Sequence, residues 1–151
     1  MAKGDLHAII RLNKLEIDEL RRQLGVLLRE EATLVARDRA LDAALDRESR
    51  LANAHPEAAY TLGAFLAAHR QRKEALAGEL EDVRTRIAEM RETLGELFRR
   101  RKTYELAQEA RDLRAAQDLA RKDQAVLDEI GLTMHRRRRI EDGEDQVGGN
   151  R

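Results

Sequence analysis

Leucine returns every seventh residue at Leu20, Leu27, Leu34 and Leu41. A companion series, Ile10, Ile17, Leu24, Glu31, Asp38 and Leu45, is apolar except at Glu31 and Asp38. Interleaved, the two series step alternately by three and four residues. That is the 3.5-residue period of a coiled-coil seam. The pattern recurs beyond Pro56, where Leu66, Lys73, Leu80, Ile87 and Leu94 interleave with Leu76, Val83, Met90, Leu97 and Tyr104. A helix patterned in this way carries its apolar atoms on one narrow stripe, so it is stable only against another helix.

The stripe is broken once. Asn53-Ala54-His55-Pro56 contains the chain's single proline. Asn53 tolerates a left-handed helix end, and Pro56 and Glu57 suit the first turn of a new helix. Asp5 is placed to cap a first helix starting at Leu6. A turn at 53–56 pairs residue i with about 110 − i, which sets Leu6 near Tyr104 and leaves residues 106–139 with no partner in the chain. The expected fold is all-α: two long helices in an antiparallel coiled-coil hairpin, the second longer and overhanging. One domain, 1–140, is expected, followed by an acidic, glycine-rich tail over 141–151 that reads as disordered. The composition agrees. Charged residues make up 38% of the chain and aromatics 3%, and Val, Ile, Thr, Tyr and Phe are too few to furnish strands.

Polar residues interrupt the seam at Glu31, Asp38, His69 and Lys73. They read as snorkelling or register-setting side chains. On the outer surface, acid-then-base pairs one turn apart recur, as in Asp18/Arg22, Asp46/Arg50 and Asp118/Lys122. Each such pair contributes about 0.2–0.5 kcal/mol to a helix.

Site chemistry is sparse. There is no cysteine, which removes disulfides, thiolate zinc sites and thiol catalysis. His7, His55, His69 and His135 form no pair at i, i+4, and no glycine loop resembles a phosphate cradle. No enzyme activity, cofactor, metal or small-molecule substrate is expected. No stretch approaches eighteen uncharged apolar residues, and Arg11, Lys14 and Glu16 interrupt any signal-type apolar run near the start, so a cytoplasmic protein is expected.

Two surfaces remain. Leu106, Leu113, Ala120 and Leu127 begin a new stripe, joined by Ala116, Ile130 and Met134. Arg136, Arg137, Arg138 and Arg139 follow it, and a second basic run covers 99–102. The 136–139 run fits the negative end of a helix macrodipole, an acidic protein partner, or a phosphate or anionic lipid. Nucleic acid is the least favoured, because 29 basic residues balance 29 acidic ones and no aromatics are interleaved for stacking.

The chain also resembles the FliJ-type flagellar export family. Tyr60 followed by Phe65-Leu66 is similar to the family's aromatic-x4-Phe-aliphatic segment after the turn. Asp123-Gln124-Ala125-Val126-Leu127-Asp128-Glu129-Ile130 resembles its DQ-x3-DE-hydrophobic ending, followed as here by a basic stretch. The resemblance covers residues 5–140; the tail at 141–151 departs from it. It implies a component of the flagellar type III export apparatus, non-enzymatic, that inserts like a rotary stalk into the ring of the export ATPase. It further implies contact with the cytoplasmic part of the membrane export gate, peripheral to the inner membrane, and an escorting role toward export chaperones. On this reading Leu106, Leu113, Leu127, Ile130, Met134 and the arginines at 136–139 face the ATPase, and Tyr60, Phe65 and Leu66 face the gate. The alternatives are a generic coiled-coil adaptor or an injectisome stalk, and less favourably a nucleic-acid-associated coiled coil.

Overall fold

The computed structural model describes residues 6–147. Helix α1 spans His7–Ala54, a single 3₁₀ turn covers Pro56–Ala58, and helix α2 spans Ala59–Val147. Among the described residues there is no strand. The chain divides into two compact units, Ala8–Thr103 and Met1–His7 with Tyr104–Arg151. The first is the antiparallel helical hairpin, and the second holds the start of the chain and the rest of α2.

Within the hairpin the heptads do what their spacing dictates. The covered positions of α1 run Ile10, Asn13, Ile17, Leu20, Leu24, Leu27, Glu31, Leu34, Asp38 and Leu41, alternately three and four apart. Leu27 and Leu34 pack with Leu76, Val83 and Ile87, and Leu24, Leu41, Leu80 and Met90 close in around them. Ile17 packs with Leu94 and Leu97. Burying one such side chain contributes about 1.5–3 kcal/mol, so this single file of leucines and isoleucines accounts for most of the favourable energy. Val, Ile and Leu from opposite arms meet at the register that a turn near 53–56 requires.

The polar residues in the seam are cross-helix pins. Lys73 Nζ donates to Asp38 Oδ1 at 2.7 Å and to Asp42 Oδ1 at 2.9 Å. Arg84 Nε donates to Glu31 Oε1 at 2.8 Å. His69 Nε2–H donates to the Leu41 carbonyl at 3.1 Å. A hairpin slipped by one heptad would separate all of these donors from their acceptors, which is how such residues fix register.

The turn differs in detail from expectation. Asn53 remains helical and α1 ends one residue later. His55, with φ −129° and ψ 91°, is the residue that leaves the helix. It precedes Pro56, whose ring clashes with a helical predecessor and forces it into extended geometry.

Beyond the turn, α2 does not hold a constant heptad. Its covered positions are Leu62, Phe65, Ala68 with His69, Lys73 and Leu76, and the line Phe65, His69, Lys73 takes two successive steps of four. This is a stutter, a local insertion of four residues into the repeat. It moves the seam from Leu66 to Phe65, so Leu66, expected inside, is 41% exposed.

The second correction concerns the end of the chain. The helix carries on through 141–147, which the sequence reading assigned to a disordered tail. Glu141 and Asp142 lie one turn beyond Arg137 and Arg138, a spacing that lets opposite charges support a helix. The arginine run therefore does not sit in the last turn, and the macrodipole does not account for it. The rest of that tail, 148–151, and the Asp5 cap lie outside the described residues.

Candidate partner-binding surfaces

In the second unit the start of α1 is held by α2. The Leu6 backbone N–H, one of the amides a helix start leaves without an intrahelical acceptor, donates to Gln108 Oε1 at 2.8 Å. Gln108 is buried, and its Nε2 donates to Asp112 Oδ1 at 2.9 Å. Gln108 is thus a cap delivered from 102 residues away in the chain. Past it, every residue from Glu109 to Gly143 is exposed.

The expected apolar stripe lies on this exposed arm. Leu106, Leu113, Leu127, Ile130 and Met134 are 51–61% exposed. Leu119 and Val126 are equally open and were missed by the sequence reading. They lie seven residues apart, beside the Leu113–Leu127 line, and widen the stripe to about 160° of the helix circumference at 100° per residue. That is broader than a strict two-line seam, because it takes in a flanking position as well. Their own period of seven was the available signal, and it was masked by the stronger one next to it.

Charges on the arm are mostly local. Arg121 Nη1 lies 3.7 Å from Asp118 Oδ1, and Gln124 Nε2 donates to Asp128 Oδ1 at 2.9 Å. Successive residues turn by about 100°, so Arg136, Arg137, Arg138 and Arg139 ring the helix rather than mark one side. Such a collar presents positive charge in every direction around the shaft.

The turn-proximal residues do not form one patch. Tyr60 is 85% exposed. Phe65 is half-buried in the seam and stacks on the His69 ring at 6.3 Å between centroids. Leu66 is exposed but lies about 120° around the helix from Tyr60. The structure therefore separates Phe65, a packing residue, from Tyr60 and Leu66, which face solvent on different sides.

The hairpin has one further exposed apolar feature that was not anticipated. Ile9, Leu12, Leu15 and Val26 on α1 are exposed, and a shallow groove is lined by Leu15, Glu16, Glu19, Leu20, Thr93 and Leu97. The Arg21 guanidinium lies 5.0 Å from the centre of the Phe98 ring, a cation–π contact.

Electrostatics perturb one group clearly. Hydrogen bonds donated to Asp38 and then to Asp42 raise the Lys73 ammonium above its ordinary value of 10.5. Among the described residues there is no cluster of His, Asp and Glu able to hold a metal ion, and no helix long and apolar enough to cross a membrane.

A family model described as "Flagellar FliJ protein" matches residues 2–139. No curated protein and no solved structure matches the chain.

Proposed function

The chain belongs to the FliJ family, a family of flagellar export, and from that premise we propose that it acts as a stalk of the export apparatus, docking with the export ATPase ring and linking it to the membrane export gate. The observation that carries this reading is the arm: a helix exposed from Glu109 to Gly143, with a broad apolar face leading to an arginine collar. Five large apolar side chains at about 1.5–3 kcal/mol each offer on the order of 10 kcal/mol of burial, before the cost of association is subtracted. The collar supplies long-range attraction to an acidic rim.

In this reading the arm enters the ATPase ring. Leu106, Leu113, Leu127, Ile130 and Met134 seat against its wall, and the arginines at 136–139 steer entry. Tyr60 and Leu66, next to the turn of the hairpin, contact the cytoplasmic part of the gate. Phe65 supports that end from inside, by packing. Export chaperones are further partners, and the protein works in the cytoplasm, peripheral to the inner membrane while docked. No catalytic step is assigned to it.

Truncation after Gln108 tests the assignment. It keeps the cap on Leu6 and the whole seam, so the hairpin should retain its thermal transition by circular dichroism. Binding to the export ATPase, followed by surface-based kinetics, should be lost. Replacing the arginines at 136–139 by Gln should slow association and flatten its salt dependence, while Leu127→Asp should speed dissociation. Full binding by the truncated chain would overturn the role of the arm.

A further inference from the structure

The broad face of the arm is matched to itself. One line of it is Leu113, Ala120, Leu127 and Met134, and the other is Ala116, Asp123 and Ile130. The positions flanking these lines over 110–133 are Ala110, Gln117, Gln124 and Gly131 on one side and Asp112, Leu119, Val126 and Thr133 on the other. Only Asp112 and Asp123 carry charge among all of these. The remaining charges of the segment, such as Arg114, Asp118, Arg121 and Asp128, fall on the outer surface.

We propose that two copies of this chain pair through this face, arm against arm and antiparallel, in the register that sets Leu113 of one against Ile130 of the other. The same register sets Ala116 against Leu127. Along its edges it brings Leu119 to Val126, Gln117 to Gln124 and Ala110 to Gly131, so a bulky side chain meets a bulky one and a small residue a small one. A two-fold axis makes each of these contacts twice. The wide stripe is explained by this arrangement, because Leu119 and Val126 cover each other instead of facing water.

Charge selects the direction. The arm begins with Glu105, Glu109 and Asp112 and ends with the arginines at 136–139. Antiparallel pairing lays Arg137 opposite Leu106, between Glu105 and Glu109 of the second copy. Parallel pairing would lay one arginine collar against the other and acid against acid, which is unfavourable. A dissonant element is central: Asp123 of each copy is set against Ala120 of the other, which leaves the two Asp123 carboxylates in adjacent layers, where they repel. That repulsion keeps the pair weak enough to exchange. Self-pairing covers the same face as the ATPase contact proposed above, so the chain is either paired or docked. The inference goes beyond that reading and does not depend on it.

The test uses the full chain alone. Light scattering across about a hundredfold range of concentration, reaching about 100 µM, should show mass rising from 17.3 kDa toward twice that value. Leu113→Asp and Ile130→Asp should hold it at the single-chain mass. Asp123→Asn should tighten pairing by about tenfold, since it removes two charges from adjacent layers of the apolar contact. The register is read by cross-linking, which is clean because the chain has no cysteine. Mixed Ala116→Cys and Leu127→Cys chains should form the hetero-disulfide, while two Ala116→Cys chains, about 16 Å apart along the axis at 1.5 Å per residue, should not. A single-chain mass at every concentration, a pair indifferent to Leu113→Asp and Ile130→Asp, or preferential Ala116→Cys homodisulfides would each overturn the proposal. A chain that stays single but still binds the ATPase would overturn it and leave the stalk reading standing.

Discussion

Asn13 sits where the seam calls for an apolar side chain, and replacing it by leucine should stabilise the hairpin. The residue is 4% exposed, and its Oδ1 has no hydrogen-bond partner. A buried polar atom left without a partner costs about 1–3 kcal/mol. Leucine removes that cost and adds apolar burial next to Ile17, though leucine is larger, and overfilling a packed site costs about 1–3 kcal/mol. The gain in burial for a leucine, about 1.5–3 kcal/mol, is of the same size as that strain. The two roughly cancel, which leaves a net gain of about 1–3 kcal/mol from the relieved oxygen. With a urea slope of about 1–3 kcal/mol per molar, the midpoint should rise by roughly 1 M. Urea melts followed by circular dichroism at constant slope provide the assay. A lowered midpoint for Asn13→Leu would refute the reasoning, because it would mean that the Asn13 amide contributes more through its register than its orphaned oxygen costs.

Ile17→Ala should cost about 2–5 kcal/mol, because the side chain is 1% exposed and the surrounding leucines cannot collapse fully onto the gap. Leu66→Ala, on the displaced face of the stutter, should change thermal stability little, and equal losses in the two variants would contradict the shifted seam. Lys73 makes the hairpin sensitive to alkali. The folded state holds the Lys73 proton more tightly than the unfolded chain does, so its contribution is complete below 10.5 and is lost as pH climbs through the raised value. A thermal-melt series against pH should show this alkaline loss in the native chain and a smaller one in Lys73→Arg, whose guanidinium stays charged. Identical profiles would remove Lys73 from the account.

The hairpin was legible because its evidence is redundant. Each heptad from Ile10 to Leu45 repeats the same statement, so polar interruptions at Glu31 and Asp38 do not obscure it. The stutter was not legible, because between Phe65 and Leu76 the covered positions are Ala68, His69 and Lys73, and a phase change across one small and two polar residues leaves little apolar trace. Extrapolating a constant step from Lys73 back to Leu66 was the natural error. Gln108 and Asn13 were invisible for another reason: a polar residue on a seam looks like an outer-surface residue until the facing helix is in place. Leu106, Leu113, Leu127, Ile130 and Met134 were found from periodicity, but the width of their face was not, since Leu119 and Val126 read as scatter around one line. The collar at 136–139 was seen as a run, while its place well inside a helix depended on how far α2 continues.

The Gln108 cap ties two distant events together. Its Oε1 holds the first amide of α1, and its Nε2 holds Asp112 at the root of the arm. Any force that bends or rotates the root must work against the same amide group that keeps the beginning of α1 from fraying. Exchange of the Leu6 amide hydrogen with solvent is therefore a gauge of what the arm is doing, slow while the root is at rest and faster when it is twisted. The single backbone proton of Leu6 would register load applied along the arm, before any side chain of the arm itself is observed.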